Sequence, residues 1–159
     1  MIPEIGLFAL IIALAVALLQ GTVPLVGASR GNWAWIDFAS HAARLHLLAM
    51  LLAYACLTWA FINNDFSVTY VASHSNTTLP LQYRIAGVWG GHEGSMLLWA
   101  LMLAGWSLAV TFFSRNLSPA MLARVLAVMG LISAGLVGFI IFTSSPFDRL
   151  LPAALEGRD

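Results

Sequence analysis

A histidine and a glutamate stand side by side among three glycines in residues 89–95, WGGHEGS, just before a long apolar run. An ionisable group near hydrocarbon costs roughly several kcal/mol unless it has a partner, so such a pair indicates a functional site. His92 and Glu93 are therefore candidate catalytic residues, and Trp89 and His92 are candidate cofactor-binding residues. A structural role explains the same residues equally well, because a Glu complements the dipole at a helix start and glycines permit a tight entry turn.

The other histidines and the lone cysteine are weaker candidates. His41 and His46 are five residues apart, about 140° around a helix, so they do not share the face that a metal-binding pair would use. We predict that His46 lies at the cytoplasmic interface and that His74 is a solvated loop residue. Cys56 lies in an apolar run, where a free thiol behaves as a small hydrophobic group. The sequence predicts no metal site.

Composition indicates that the elements which position these residues are membrane helices. Hydrophobic residues make up 60% of the 159, charged residues only 9%, and the mean hydropathy is +0.88. We predict an all-α integral membrane protein whose four transmembrane helices cover residues of about 5–27, 45–62, 86–113 and 125–143, with an external loop at about 63–85. The helices form a single membrane segment spanning residues 1–159.

Charge indicates the orientation and excludes one class of partner. All seven basic residues are arginines and seven acids balance them, so no basic face for nucleic acid is expected. The loops at 28–44 and 114–124 hold four arginines and the other side holds three, which favours external termini. The two sets are Arg30, Arg44, Arg115 and Arg124 against Arg84, Arg149 and Arg158.

Helix geometry places the histidine and glutamate pair near the outer membrane interface. Twenty residues, about 30 Å of helix, separate Glu93 from Phe113 at the predicted inner boundary. Small residues recur every four positions around residues 87–95 and 130–138, which favours close helix contacts. We expect the third and fourth helices to pack through these residues, or to dock onto helices outside this chain.

Four blocks of sequence together resemble one known family. They are residues 1–6 (MIPEIG), 64–74 (NDFSVTYVASH), 89–99 (WGGHEGSMLLW) and 145–149 (SPFDR). The chain resembles the N-terminal portion of the CcmF/NrfE family of cytochrome c-type biogenesis proteins across essentially all 159 residues. The resemblance implies the N-terminal part of a larger polytopic bundle in the bacterial inner membrane, with its termini and loop 63–85 periplasmic.

The resemblance also implies a function and partners. Full-length members are haem lyases that receive haem from the chaperone CcmE and join it to Cys-x-x-Cys-His motifs of apocytochrome c, presented by CcmH-type proteins. The family's Trp-rich haem-handling segment and haem-ligand histidines follow this stretch, so this portion is expected to scaffold the site and to be inactive alone. The alternatives are an NrfE-type nitrite reductase assembly protein and a stand-alone four-helix membrane scaffold protein.

A haem held between two of this chain's own histidines is not expected. By the predicted topology His46 and His92 lie near opposite membrane faces, about 30 Å apart, and one iron cannot bridge them.

Overall fold

The computed structural model describes residues 1–114 and 116–158, and the elements found there are helices and connecting turns. Four long helices are apolar enough to cross a membrane, and two short ones lie between the second and third of them. In chain order the helices are α1 (Ile2–Arg30), α2 (Trp33–Ile62), α3 (Thr69–His74), α4 (Leu81–Gly87), α5 (His92–Phe113) and α6 (Pro119–Thr143).

The first two helices are joined by a turn of two residues. Gly31 ends α1 in the left-handed conformation, with a φ of 67°, and Asn32 then caps α2 by accepting the N–H of Ala34 at 3.1 Å. The predicted loop at 28–44 is therefore helical over most of its length, and α2 begins twelve residues before the predicted position. Helices of about 45 Å exceed the hydrocarbon layer, so their polar ends extend beyond it.

The third membrane helix is shorter than its apolar pattern predicted. A helix over 86–113 was expected, but α4 ends at Gly87 and α5 begins at His92, with tight turns between them. Gly91 precedes α5 in an extended conformation, which breaks the helix there. The sixth helix begins at Pro119, six residues earlier than predicted, because Ser118 caps it by accepting the N–H of Met121 at 3.3 Å.

The bundle is built around α1, which packs along both α2 and α6. The backbones of α1 and α6 approach each other closely at Gly130. A Cβ added there would lie 2.9 Å from the backbone nitrogen of Gly21. Gly130 thus faces α1, whereas the sequence predicted that the small residues of the fourth membrane helix pack on the third or on helices outside this chain; α5 and α6 are nevertheless in contact. Close approach of this kind is the usual reason for glycine at a membrane helix contact.

His46 does not lie at an interface. It is the fourteenth of thirty residues in α2, fully buried, and its imidazole Nδ1 donates a hydrogen bond to the Ala13 carbonyl of α1 at 3.0 Å. The prediction of a cytoplasmic interfacial histidine is wrong because α2 starts well before residue 45. Arg115, counted in the predicted charge distribution, lies outside the described residues.

Candidate functional site

The sequence blocks that resemble the family meet at one end of the bundle, which we call the terminal end. The backbone N–H of Thr69 donates to the Asp148 carbonyl at 2.8 Å, which ties α3 to the segment after α6. The neighbouring Arg149 guanidinium is hydrogen-bonded to the Glu4 carboxylate at the start of α1. Segments far apart in sequence thus form one surface.

Tyr70 attaches the glycine-rich block to the same surface. Its hydroxyl accepts a hydrogen bond from the Gly91 N–H at 3.0 Å and lies 3.2 Å from the carbonyl oxygens of both Gly87 and Val88. Burial raises the pKa of Tyr70; the Gly91 N–H opposes that rise, and the nearby charge of Glu93 adds to it. Tyr70 is therefore a neutral hydroxyl that fixes the turn before α5.

Two of the glycines are required by close packing. A Cβ on Gly91 would lie 2.6 Å from Nε2 of His74, and a Cβ on Gly94 would overlap the Val88 carbonyl oxygen. A larger residue at either position would push the turn away from α3. These glycines pack against side chains and a turn, whereas the sequence predicted a ridge for another helix.

His92 is the first residue of α5 and is exposed. Its Nδ1 lies 3.2 Å from the Ser144 hydroxyl, just after α6, and its ring meets that of Phe139 edge-on with centroids 6.3 Å apart. The imidazole thus bridges the terminal ends of α5 and α6 and remains exposed. Such a group can carry a proton or contact a partner at the aqueous face.

Glu93 and Trp89 complete the set of predicted site residues. Glu93 is half-buried in the first turn of α5 and has no hydrogen-bond or ion-pair partner within the described part of the chain. It does not pair with His92, so the two are neighbours in sequence without forming an ion pair. Trp89 is 46% exposed, a position typical of aromatic residues at a membrane interface. Their catalytic or cofactor-binding roles stay predictions.

Two of the remaining histidines, His41 and His46, lie away from the terminal end. His41 is exposed at the opposite end, with its Nδ1 3.6 Å from the Asp37 carboxylate, and His46 is sealed inside the bundle. Over residues 1–114 and 116–158, no three His, Cys, Asp or Glu side chains come together in a group able to hold a metal ion. Cys56 is buried, as its apolar surroundings predicted.

Sequence reasoning did not identify Tyr70 and His74 as part of this site. Their rings pack on each other with centroids 4.6 Å apart, and the His74 Nδ1 lies 3.1 Å from the Tyr70 carbonyl oxygen. The available signal was their spacing of four residues, which places both on one face of a helix. His74 is exposed but is not simply solvated, since it packs against the glycine-rich turn.

The fold and this surface define a class: a polytopic all-α membrane protein with an ordered platform at one end. No family model matches the chain. Its sequence is 56% identical to the cytochrome c-type biogenesis protein CcmF of Pseudomonas aeruginosa, and 49% identical to CcmF of Escherichia coli K12. It is also 42% identical to NrfE of Haemophilus influenzae. Each match covers 100% of this chain but only 24% or 25% of the relative.

A solved structure supports the same relationship. The cytochrome c haem lyase CcmF matches 96% of this chain with a TM-score of 0.88 and 30% identity, and the match covers 26% of that protein. The resemblance to the N-terminal portion of the CcmF/NrfE family is therefore confirmed. The chain spans about a quarter of the length of these relatives.

Proposed function

We propose that this chain is the N-terminal membrane portion of a cytochrome c maturation haem lyase. The observation that carries the proposal is the match of the whole chain, in sequence and in fold, to proteins named for cytochrome c-type biogenesis and haem lyase activity. Two relatives from one organism, Haemophilus influenzae, can be compared directly: this chain is 47% identical to that organism's CcmF and 42% identical to its NrfE. This difference favours a CcmF-type protein over the NrfE-type alternative.

We place the protein in the bacterial inner membrane with the terminal end in the periplasm. Arg30, Arg44 and Arg124 belong to the opposite half of the bundle, where the positive-inside tendency expects them. This orientation exposes His92 to the periplasm and places the buried Tyr70 on the same side of the membrane. The terminal end would then face the haem chaperone CcmE, the CcmH-type proteins and apocytochrome c, which we propose as partners.

The cofactor of the proposed reaction is haem, whose vinyl groups each add a cysteine thiol, with sulfur joining one carbon and hydrogen the other. The described residues do not fit a complete haem site. His46 is fully buried, whereas His92 and His74 are exposed at the surface of the terminal end, so neither of these two imidazoles is enclosed by the apolar walls that a haem site needs. We infer that this portion scaffolds a site whose haem ligands lie elsewhere.

The role of the glycine-rich block is tested by His92→Ala in the full-length protein. We expect cytochrome c maturation to fall, because the imidazole would be lost from the periplasmic face, while the variant remains inserted in the membrane. Haem staining of c-type cytochromes measures maturation, and membrane fractionation measures insertion.

The matched control for this test is His41→Ala, which removes an exposed imidazole at the opposite end of the bundle. This variant should mature cytochrome c normally. Unimpaired maturation by His92→Ala would contradict a functional role for His92. The glycine-rich block would then serve only as the structural start of a helix, in a scaffold without a role in ligation.

Haem binding by the 159-residue chain gives a second test. We expect the purified chain to bind no stoichiometric haem, since its buried histidine is inaccessible and its other histidines are exposed at the surface of the protein. Titration with haemin followed by absorption spectroscopy measures this. A bis-histidine Soret spectrum at one haem per chain would contradict the scaffold role.

A further inference from the structure

Three polar side chains lie inside the bundle, one on each of α1, α2 and α6. Gln20, His46 and Ser133 are each 0% exposed. Each keeps one atom without a hydrogen-bond partner among the described residues: the Gln20 Oε1, the His46 Nε2 and the Ser133 Oγ. Because an unpaired buried polar atom destabilises the folded state, native proteins rarely leave one unsatisfied. Three in one bundle indicate a ligand that they share.

The known hydrogen bonds define what two of these atoms need. The Ala13 carbonyl can only accept, so the His46 Nδ1 that lies 3.0 Å from it carries a proton, and Nε2 of the neutral ring presents a lone pair. The Gln20 amide nitrogen donates to the Leu126 carbonyl at 2.9 Å, which leaves its Oε1 as an acceptor. Both atoms therefore require a hydrogen-bond donor.

Helix register places Ser133 near Gln20. The helices α1 and α6 run antiparallel, since a Cβ on Gly130 would lie 3.0 Å from the Gln20 Cβ and one on Gly138 would lie 3.9 Å from Leu14. Ser133 follows Gly130 by three residues, which is a rise of about 4.5 Å towards Leu14. It thus lies less than one turn from the level of Gln20.

The same register places Ser133 at a level along the bundle that lies between the levels of Gln20 and His46. The imidazole of His46 meets α1 at Ala13, seven residues and about 10 Å before Gln20. Residues seven apart share a helix face. The residues that carry the three unsatisfied atoms therefore lie at levels within about two helical turns of one another on α1, α2 and α6, which are in mutual contact.

This position is deep in the membrane. His46 lies about 20 Å along α2 from Trp33, near the middle of the helix. Hydrocarbon offers no hydrogen bonds, and polar residues inside membranes are satisfied by protein groups or by ordered water. A metal ion does not fit, because no cluster of three His, Cys, Asp or Glu side chains exists within residues 1–114 and 116–158.

We propose that α1, α2 and α6 enclose an intramembrane hydration site, in which water donates hydrogen bonds to the His46 Nε2 and the Gln20 Oε1 and is shared with the Ser133 hydroxyl. Water suits this set because it donates two hydrogen bonds and accepts two, and buried waters typically have about three polar partners. The site joins three helices through bound water, independently of the chemistry at the terminal end.

The proposal is tested by solid-state NMR of the ¹⁵N-histidine-labelled protein in lipid bilayers near neutral pH. The expected result is that the His46 Nδ1 is protonated, that Nε2 is not, and that Nε2 shows a cross-peak to water protons. The His46→Gln variant assigns the signal by its loss. The main observation is made on the unsubstituted protein, so it does not depend on the folding of any variant.

A pair of serine variants adds a matched comparison. Ser133→Ala is expected to shift the His46 Nε2 resonance and to weaken the water cross-peak. Ser107 is equally buried, but its hydroxyl donates to the Leu103 carbonyl of its own helix at 3.0 Å. Ser107→Ala should therefore leave the Nε2 resonance and the water cross-peak unchanged. An Nε2 with no water contact in the unsubstituted protein, or a Ser133 hydroxyl bound directly to it, would overturn the proposal.

Discussion

At the scale of single residues, glycine and tyrosine do more to shape the candidate site than its charges do. The Tyr70 hydroxyl serves three backbone groups around the glycine-rich turn, and Gly94 lets the turn approach it closely. His92 and Glu93 could be proposed as candidates from sequence, because ionisable residues are rare in this chain, and their roles stay predictions. Tyr70 could not, because its role depends on a contact 21 positions along the chain, which local sequence does not encode.

Two glycines of α5 provide a matched prediction at this scale. Gly94→Ala should destabilise the protein by about 1–3 kcal/mol, because the new Cβ overlaps the Val88 carbonyl oxygen. Gly105→Ala, on the same helix with nothing within 4 Å, should be neutral or stabilising by about 0.5–1 kcal/mol. Unfolding of both variants by SDS titration measures the difference, and equal midpoints would contradict the packing argument.

At the scale of helices, hydropathy predicted how many spans exist but not where they begin. The pattern stops at Leu45, since Asp37, His41 and Arg44 look like loop residues in a membrane protein. The Asn32 cap starts a helix that includes these polar residues. The prediction for His46 failed for the same reason, because moving the helix start changed its depth.

The contact between α1 and α6 gives a prediction at the helix scale. In Gly130→Ala the added methyl group would lie 3.0 Å from the Gln20 side chain and 2.9 Å from the Gly21 backbone nitrogen, so α6 must move away from α1. We expect a loss of about 1–3 kcal/mol, seen as a lower Tm in detergent. Gly135→Ala, on an open face of the same helix, is the control and should keep the original Tm. A comparable loss in both variants would contradict this contact as the cause, because alanine has a higher helix propensity than glycine and would not by itself destabilise the helix.

At the scale of the whole molecule, backbone hydrogen bonds between distant segments make the terminal end an ordered platform. Without them it would be a set of separate loops. The Thr69 bond to Asp148 and the Leu150 bond to Ser67 join the stretch after α2 to the stretch after α6. Each stretch looked like an ordinary connection in sequence, because polar residues and prolines between spans predict surface loops. Only the fold brings them together.

The orientation of the molecule is the prediction at this scale. Thr77 and Leu117 are exposed at the terminal and opposite ends, and Cys56 is buried, so single cysteines introduced at the two positions report sidedness. A membrane-impermeant maleimide should label Thr77→Cys in spheroplasts and should label Leu117→Cys only after lysis. The reverse labelling pattern would contradict a periplasmic terminal end.

The pairing between residues 67–69 and 148–150 also has a consequence for the order of synthesis. The ribosome completes α1 and α2 first, and these helices can pack as soon as the Gly31–Asn32 turn has formed. Thr69 acquires its Asp148 partner only after α6 has entered the membrane, some 80 residues later. The membrane-embedded pair therefore matures early during translation, whereas the platform that carries His92 closes later, once residue 148 has been made.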